Sequence, residues 1–339
     1  MMTRPKLLCS LLLLLWTAAA WAQQCTESKD MDPATRGAIE SAARQYFDMA
    51  ARGDSAGLQQ NAIPSVQQGF GGIANAVRDN LATLQGSQAN IRNTFLLDAS
   101  SATANLEKAE FYCGVFGAYG HTATSTAFII PGLPPGKYAV AIVDAQGSKV
   151  PFSISFVLQQ MGQQWKLAGY YAKAGQAAGH DGNWYIQQAR DFKQKGNTRA
   201  AYFYYWQARD LLAPVPFVST LQLDKLYDEM QQVVPKDLPI GQSIDFNANG
   251  KNYQLTSMFP IPVGNDLDLV VKYAAADISD TARTWQSNMD LINALLTKYP
   301  EFREAFQGIV ARAVTSGGQD YGTVVPTKQT PNAPQSATK

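Results

Sequence analysis

The sequence predicts an α+β protein with N-terminal helices on a curved antiparallel sheet, then a helical hairpin, then a smaller C-terminal α+β unit. Three observations predict this architecture. Apolar residues recur at helical spacing over 32–84. The period changes to two over 91–171, which is typical of strands with one buried face. Helical spacing returns after residue 182 and mixes with strand patterns towards the C-terminus.

Three helices are predicted before the sheet. Asp32 is placed to cap the first helix, Pro33 fits its first turn, and Gly53 ends it. A second, short helix over 55–62 stops before a proline, and a third covers 73–84 and is closed by a glycine. We therefore expect one long and two shorter helices to lie against the sheet.

Six strands follow these helices, and the short turns between them make most of the pairings antiparallel. In the last two strands the alternate apolar side chains share one face, so we expect helices or a ligand to bury that side of the sheet. The predicted strands cover 91–97, 109–116, 123–130, 138–143, 152–158 and 165–171.

The order of these elements, the turn GDSAGL at 53–58 and the strand QWKLAGYY at 164–171 resemble the nuclear transport factor 2-like and SnoaL-like superfamily. The resemblance covers 33–173 and implies a cystatin-like cup, in which helices pack on a curved sheet. That superfamily includes isomerases, dehydratases, transport adaptors and accessory domains without catalysis, so the resemblance implies no single activity. The residues expected to line the cup are Tyr46, Phe156, Trp165 and Leu167.

A Gly/Ala-rich link leads into a helical unit predicted over 182–233. Large and small residues in 182–215 fall at the positions of a single tetratricopeptide repeat, whose small residues let two antiparallel helices approach closely. Because one repeat cannot bury both of its own faces, we expect the helix over 221–233 to cover it. The resemblance rests on Tyr185, Ala189, Phe192, Gly196, Ala201, Tyr205 and Ala208.

Five consecutive aromatic residues at 202–206 point all round the second helix of this unit, because successive residues are about 100° apart. Two explanations remain open. Either neighbouring elements bury these rings, or one aromatic face binds a partner. In the second case the predicted partner face consists of Tyr202, Phe203 and Trp206.

The C-terminal unit is predicted over 240–325. Asn249-Gly250 between two strand patterns predicts a type I′ hairpin. One amphipathic helix is expected from Trp285 to the Tyr299-Pro300 pair, and a second over 302–313. The remaining predictions are a strand over 267–273, an edge strand over 321–325 and a disordered tail over 326–339.

Residues 1–22 are predicted to be a signal peptide. Two basic residues precede an apolar run that ends in AWA at 20–22, with small residues where a signal peptidase reads the chain. No small residue directly precedes Cys25, which argues against a lipoprotein. We therefore expect a soluble, exported protein that is periplasmic or secreted.

Export leaves two cysteines in the mature chain, Cys25 and Cys113, because Cys9 lies in the predicted leader. An oxidising compartment favours a disulfide between them, and two unpaired thiols are the alternative.

Charge and motifs exclude several classes of function. A net charge of +1 gives no electrostatic footprint for nucleic acid, and no window after the leader is apolar for the roughly 18 residues of a membrane span. The chain has two histidines, His121 and His180, without further ligands at metal spacing, so we expect no metal and no cofactor. No phosphate-binding glycine loop is present, and GDSAG at 53–57, which has the Gly-x-Ser-x-Gly spacing, follows a predicted helix and not the strand that a nucleophile elbow requires.

The carboxylates provide no catalytic set either. Asp48 is expected to point away from Tyr46, with Arg52 one turn further on, and no catalytic residue of the superfamily aligns with the chain. We therefore expect a non-catalytic binding or scaffold protein of the cell envelope, which binds an apolar small molecule in the cup or an envelope protein through the helical hairpin. The alternative is a cup-type isomerase or hydrolase that uses an acid/Tyr pair.

Overall fold

The structure, a computed structural model, describes residues 23–328. It has the mixed α+β fold that the sequence predicts, with a curled sheet of eight strands, helices packed on it, and a smaller second sheet. The predicted signal peptide at 1–22 and residues 329–339 of the predicted tail lie outside the described residues.

Four helices precede most of the large sheet. The carboxylate of Asp32 accepts hydrogen bonds from the N–H groups of Ala34 (3.0 Å) and Thr35 (2.9 Å), which confirms the predicted N-cap. Pro64 stops the second helix and also opens a further short one, because the first turn of a helix does not use the N–H that proline lacks. The helices are α1 (Pro33–Ala51), α2 (Ser55–Gln60), α3 (Pro64–Gln68) and α4 (Gly71–Leu84).

The large sheet has eight strands: β1 (Gln24–Glu27), β2 (Gln88–Asp98), β3 (Leu106–Cys113), β4 (Thr126–Leu133), β5 (Lys137–Gln146), β6 (Phe152–Met161), β7 (Gln164–Ala174) and β8 (Val218–Thr220). Their order is β7-β6-β5-β2-β1-β3-β4-β8, antiparallel except between β1 and β3. The six predicted strands are present as β2 to β7. The sequence pattern does not reveal β1 or β8, since four and three residues are too few to show a period.

The N-terminal helices cover one face of this sheet. Ala43 and Phe47 of α1 are fully buried in the core that they form with the sheet. The central strand β5 contributes small residues to the same core, namely Ala139, Ala141 and Ala145. Small residues on both surfaces let the helix lie close against the strand.

Three helices cover the opposite face: α5 (Gly182–Gln194), α6 (Thr198–Leu212) and α7 (Leu221–Gln231). Tyr138 and Val140, which alternate with the alanines on β5, share a core with Tyr205 of α6. A Cβ added to Gly182 would lie 2.5 Å from Cγ of Leu212. Glycine is therefore required where α5 begins against the end of α6.

The C-terminal unit contains β9 (Ile244–Ala248), β10 (Lys251–Val263), β11 (Asp266–Ala274), α8 (Thr281–Lys298), α9 (Phe302–Ala305), β12 (Gly308–Val314) and β13 (Asp320–Pro326). Its strands lie in the order β13-β12-β11-β10-β9. The predicted hairpin is confirmed: Asn249 and Gly250 have φ values of 52° and 75°, and a type I′ turn requires positive φ at both positions.

The predicted helix over 302–313 is wrong. The helical segment that is present, α9, has only four residues. The strand β12 follows it and pairs in parallel with β11. Phe302, Ile309 and Ala313 fit a helical period, but Ile309, Ala311 and Ala313 also alternate as a strand does. The open edge of β11 supplies backbone partners for a strand here, and local periodicity does not contain that information.

The fold also extends into the predicted tail. Pro326 ends β13, Thr327 is buried, and its N–H donates to the carbonyl oxygen of Gln307 (2.8 Å). The first residues of 326–339 are therefore packed, which corrects the predicted start of a disordered segment.

One apolar core runs from the large sheet through α5, α6 and α7 to the second sheet. The units predicted at 182–233 and 240–325 therefore share a core with one face of the unit predicted at 33–173. Within residues 23–328 no helix is both long enough and apolar enough to cross a membrane.

Candidate functional site

The four residues predicted to line the cup come together and fill it. Tyr46, Phe156, Trp165 and Leu167 belong to one core, and none is more than 6% exposed. The Tyr46 hydroxyl donates to the carbonyl oxygen of Trp165 (2.7 Å), and the rings of Tyr46 and Phe156 are 6.1 Å apart. Burial raises the pKa of Tyr46 to about 12. The hydroxyl therefore stays protonated and acts as a structural donor.

The segment between α2 and α3 closes the rim of the cup at β7. The N–H of Ile63 donates to the carbonyl oxygen of Leu167, and the N–H of Leu167 donates to that of Asn61, both at 2.9 Å. Asp48 is exposed on the other side of α1, as the helical spacing predicts. The hydrogen bonds of the Tyr46 hydroxyl go to carbonyl oxygens, so Tyr46 and Asp48 do not form an acid/Tyr pair.

The aromatic row of α6 is largely buried. Tyr202 and Phe203 lie in the core between the sheets, whereas Trp206 is 37% exposed. Phe203 packs against Phe306 with ring centres 6.0 Å apart, and the Tyr204 hydroxyl donates to a carbonyl oxygen of α9 at 2.6 Å. This corrects the predicted partner face, because Tyr202 and Phe203 already contact other parts of the chain.

The open surface of the helical unit is a groove between α5 and α7. Arg190 on α5 donates two hydrogen bonds, of 2.8 and 2.7 Å, to the carboxylate of Glu229 on α7, which also accepts one from Tyr205 (2.8 Å). The Arg190 guanidinium lowers the pKa of Glu229, so this carboxylate stays ionised. Beside the pair lies a groove of about 180 Å³, lined by Asn183, Ile186, Gln187, Gln222, Lys225 and Leu226.

A second exposed feature is the loop between β3 and β4, residues 114–125, which we call the β3–β4 loop. The predicted disulfide is confirmed directly before it: Cys25 of β1 is bonded to Cys113, with Cα atoms 5.0 Å apart. The bond fixes the start of the loop to β1, which lies beside β3 in the sheet. Because the cysteines are 88 residues apart, the bond closes a long loop of chain.

A hydrogen-bonded chain fastens the other end of the β3–β4 loop. Nδ1 of His121 lies 3.0 Å from Oγ of Ser125, and Nε2 lies 3.0 Å from Oγ of Ser219. The Ser219 hydroxyl donates to Asp224 (2.5 Å), so its oxygen accepts from Nε2–H of His121. Ser125 is buried and its oxygen already accepts the N–H of Thr122 (2.8 Å). The chain therefore ties the loop to α7.

Apolar side chains project from the loop between these two anchors. Val115 is 72% exposed, Tyr119 is fully exposed, and Tyr112 just before the loop is half-exposed. Phe116 packs between Tyr112 and His121, with ring centres 5.2 and 4.8 Å away. The exposed side chains of this segment suit contact with an apolar surface.

Two further polar features lie on the surface of the described residues. A cleft of about 320 Å³ beside the loop is lined mainly by hydroxyl and amide groups, among them Ser28, Asn93, Thr124 and Thr220. His180 stacks on Trp184 at 3.7 Å in the turn before α5. In the part of the chain that the structure describes, no cluster of His, Cys, Asp and Glu side chains could hold a metal ion.

None of the protein-family models, curated proteins and solved structures that were compared with this chain matches it.

Proposed function

We propose that this chain is an exported, non-catalytic binding or scaffold protein of the cell envelope, and that it binds a protein partner through the groove between α5 and α7. The observation that carries the proposal is the contrast between the filled cup and the open groove. Tyr46 and Trp165 occupy the interior that a small ligand would need. The groove, in contrast, leaves polar side chains of two helices open to a partner.

The lining of the groove favours an extended peptide that carries an acidic residue. Gln187 is exposed, and its amide can both donate to and accept from a peptide backbone. Lys225 is exposed and supplies a positive charge, while Ile186 and Leu226 form an apolar floor. The resemblance of 182–215 to a tetratricopeptide repeat supports the same use, because arrays of such helices form extended binding surfaces.

The other two functions considered for the sequence have less support. An apolar ligand in the cup would have to displace buried side chains, and an acid/Tyr enzyme would need a carboxylate near Tyr46, whose hydroxyl bonds to carbonyl oxygens. Binding through the helical unit is therefore the best-supported function.

Site-specific photo-crosslinking in the native host tests the proposal. A photoreactive amino acid at Gln187 should give a discrete crosslinked species, and the Lys225→Glu variant should abolish it because the reversed charge repels an acidic partner. The matched control is Lys149→Glu, an exposed lysine in the turn after β5, which should leave the crosslink unchanged. Loss of the crosslink with both variants, or with neither, would contradict the proposal.

A further inference from the structure

The β3–β4 hairpin lies in a segment without charged side chains. Residues 111–136 contain no Asp, Glu, Lys or Arg, whereas a window of that length would carry about four at the 16% average of the chain. Large apolar side chains are ordinarily buried, but here Tyr112, Val115 and Tyr119 expose half or more of their surface and Ile129 more than a third. Burial in the core therefore does not explain why this segment lacks charged side chains.

The exposed tip of this hairpin is rigidly held. Gly117 and Gly120 exchange two backbone hydrogen bonds, of 2.9 and 3.1 Å, and close a tight turn around Ala118 and Tyr119. The Thr122 hydroxyl donates to the carbonyl oxygen of Val115 (2.7 Å). With the disulfide at one end of the loop and the His121 chain at the other, the apolar side chains cannot fold back onto the sheet.

We propose that the tip of the β3–β4 loop, centred on Val115 and Tyr119, inserts into the interfacial region of a lipid bilayer and holds the protein peripherally on a membrane surface. Tyrosine suits this environment because its ring is apolar and its hydroxyl stays hydrated. The absence of charged groups within the loop removes the main cost of entering that region. Neither Val115 nor Tyr119 lines the groove between α5 and α7, so the inference goes beyond the proposed function.

A lipid surface fits this tip better than a protein does. One aromatic side chain buries at most about 150–250 Å², so a tip with one fully exposed tyrosine and one valine falls short of the roughly 800 Å² per partner of a stable protein interface. A convex tip also needs a complementary pocket on a protein, whereas a fluid bilayer adapts to it.

The charges around the loop predict how binding should depend on lipid headgroup charge and on salt. The neighbouring lysines are already paired, Lys29 with Glu27 at 2.9 Å and Lys108 with Glu110. No basic cluster is therefore left to attract anionic headgroups. Binding should be as strong to zwitterionic as to anionic vesicles and should be insensitive to salt.

Flotation of the mature protein with phosphatidylcholine vesicles tests the inference. Wild type should float with the vesicles, and the double variant Val115→Ser/Tyr119→Ser should lower the partition coefficient about tenfold or more, equivalent to about 1.4 kcal/mol. Raising the salt to about 0.5 M, or adding an anionic lipid, should change it less than twofold. The melting temperature of the variant should match wild type, because both side chains project into solvent.

The control is Tyr227→Ser/Val324→Ser, which removes two exposed apolar side chains from α7 and β13 and should float like wild type. Lys225→Glu should also float normally, which separates this inference from the proposed function. Failure of wild type to float, or equal flotation of the loop variant and wild type, would overturn the inference. Binding of the tip to an envelope protein without flotation would identify a protein contact and overturn it as well.

Discussion

Tyr46 joins α1 to the outermost strand of the large sheet through one hydroxyl. It donates to the carbonyl oxygen of Trp165 (2.7 Å), in a core from which solvent is excluded. We expect Tyr46→Phe to lower the free energy of unfolding by about 1–3 kcal/mol, because a buried carbonyl loses its donor. Urea unfolding measures this. Tyr119→Phe, whose hydroxyl is fully exposed, is the matched control and should be neutral. Equal stability of both variants would refute the role given to Tyr46.

The buried tyrosines also predict how stability depends on alkaline pH. Burial raises the pKa values of Tyr46, Tyr185 and Tyr273 to about 12, compared with about 10 in an unfolded chain. Below about pH 10 these tyrosines are protonated in both states, and their full contribution to stability is present. Between about pH 10 and 12 the unfolded chain releases these protons first and binds fewer than the native state, so stability falls as pH rises. Urea midpoints at about pH 9 and 11 should show this fall. Tyr46→Phe should show a shallower one, and a flat profile would contradict the prediction.

The disulfide between Cys25 and Cys113 is a further stabilising feature at the residue scale. Because it closes a loop between residues 88 apart, Cys25→Ser/Cys113→Ser should lower the free energy of unfolding by about 4.6 kcal/mol in the chain-entropy model. Chemical unfolding with and without a reductant measures the difference. Labelling of two thiols in the denatured, unreduced mature protein would show that the bond does not form.

At the scale of single elements, Ala201 determines how closely α6 packs against its neighbours. It is fully buried on the second helix of the hairpin, at a small position of the repeat-like pattern. We expect Ala201→Leu to cost about 1–3 kcal/mol through overpacking. Ala38→Leu on the exposed side of α1 is the control and should change the melting temperature little. An unchanged melting temperature for Ala201→Leu would mean that the helices are not in close contact there.

The free edge of β10 shows how an element avoids unwanted pairing. The first part of β10 pairs with β9, but residues 257–263 have a partner strand only on the β11 side. This half contains Pro260 and Pro262, which have no N–H to offer to another chain. Prolines at such an edge discourage intermolecular strand addition.

At the scale of the whole molecule, Phe203 lies in the core that connects the large sheet with the second sheet. Its ring lies in the core shared by both sheets, 6.2 Å from the ring of Phe302 and 6.0 Å from that of Phe306. We expect Phe203→Ala to cost about 3–5 kcal/mol and to lower the stability of both sheets together, because the core is continuous. Tyr227→Ala on exposed α7 should be nearly neutral. Circular dichroism and tryptophan fluorescence should follow one coincident transition, and two separate transitions would show that the units unfold independently.

The sequence by itself determined the fold class, the Asp32 cap and the Asn249-Gly250 hairpin, and it favoured the pairing of Cys25 with Cys113 over two unpaired thiols. These features depend on local chemistry: period, capping side chains, positive φ, and the small number of cysteines, of which Cys9 lies in the predicted leader. For the same reason the pattern revealed β2 to β7 but not the short β1 and β8.

Only the tertiary structure decided what each surface contacts. Tyr46 and Trp165 were recognisable as cup residues, but only packing shows that they fill the cup. The aromatic row on α6 left partner binding open as an alternative to burial, and neighbouring elements bury Tyr202 and Phe203. The uncharged run at 111–136 is visible in the sequence, yet an apolar run ordinarily indicates a core. Its exposure at Val115 and Tyr119 follows from anchors that lie far away in sequence, because burial is a property of the assembled neighbours and not of the segment alone.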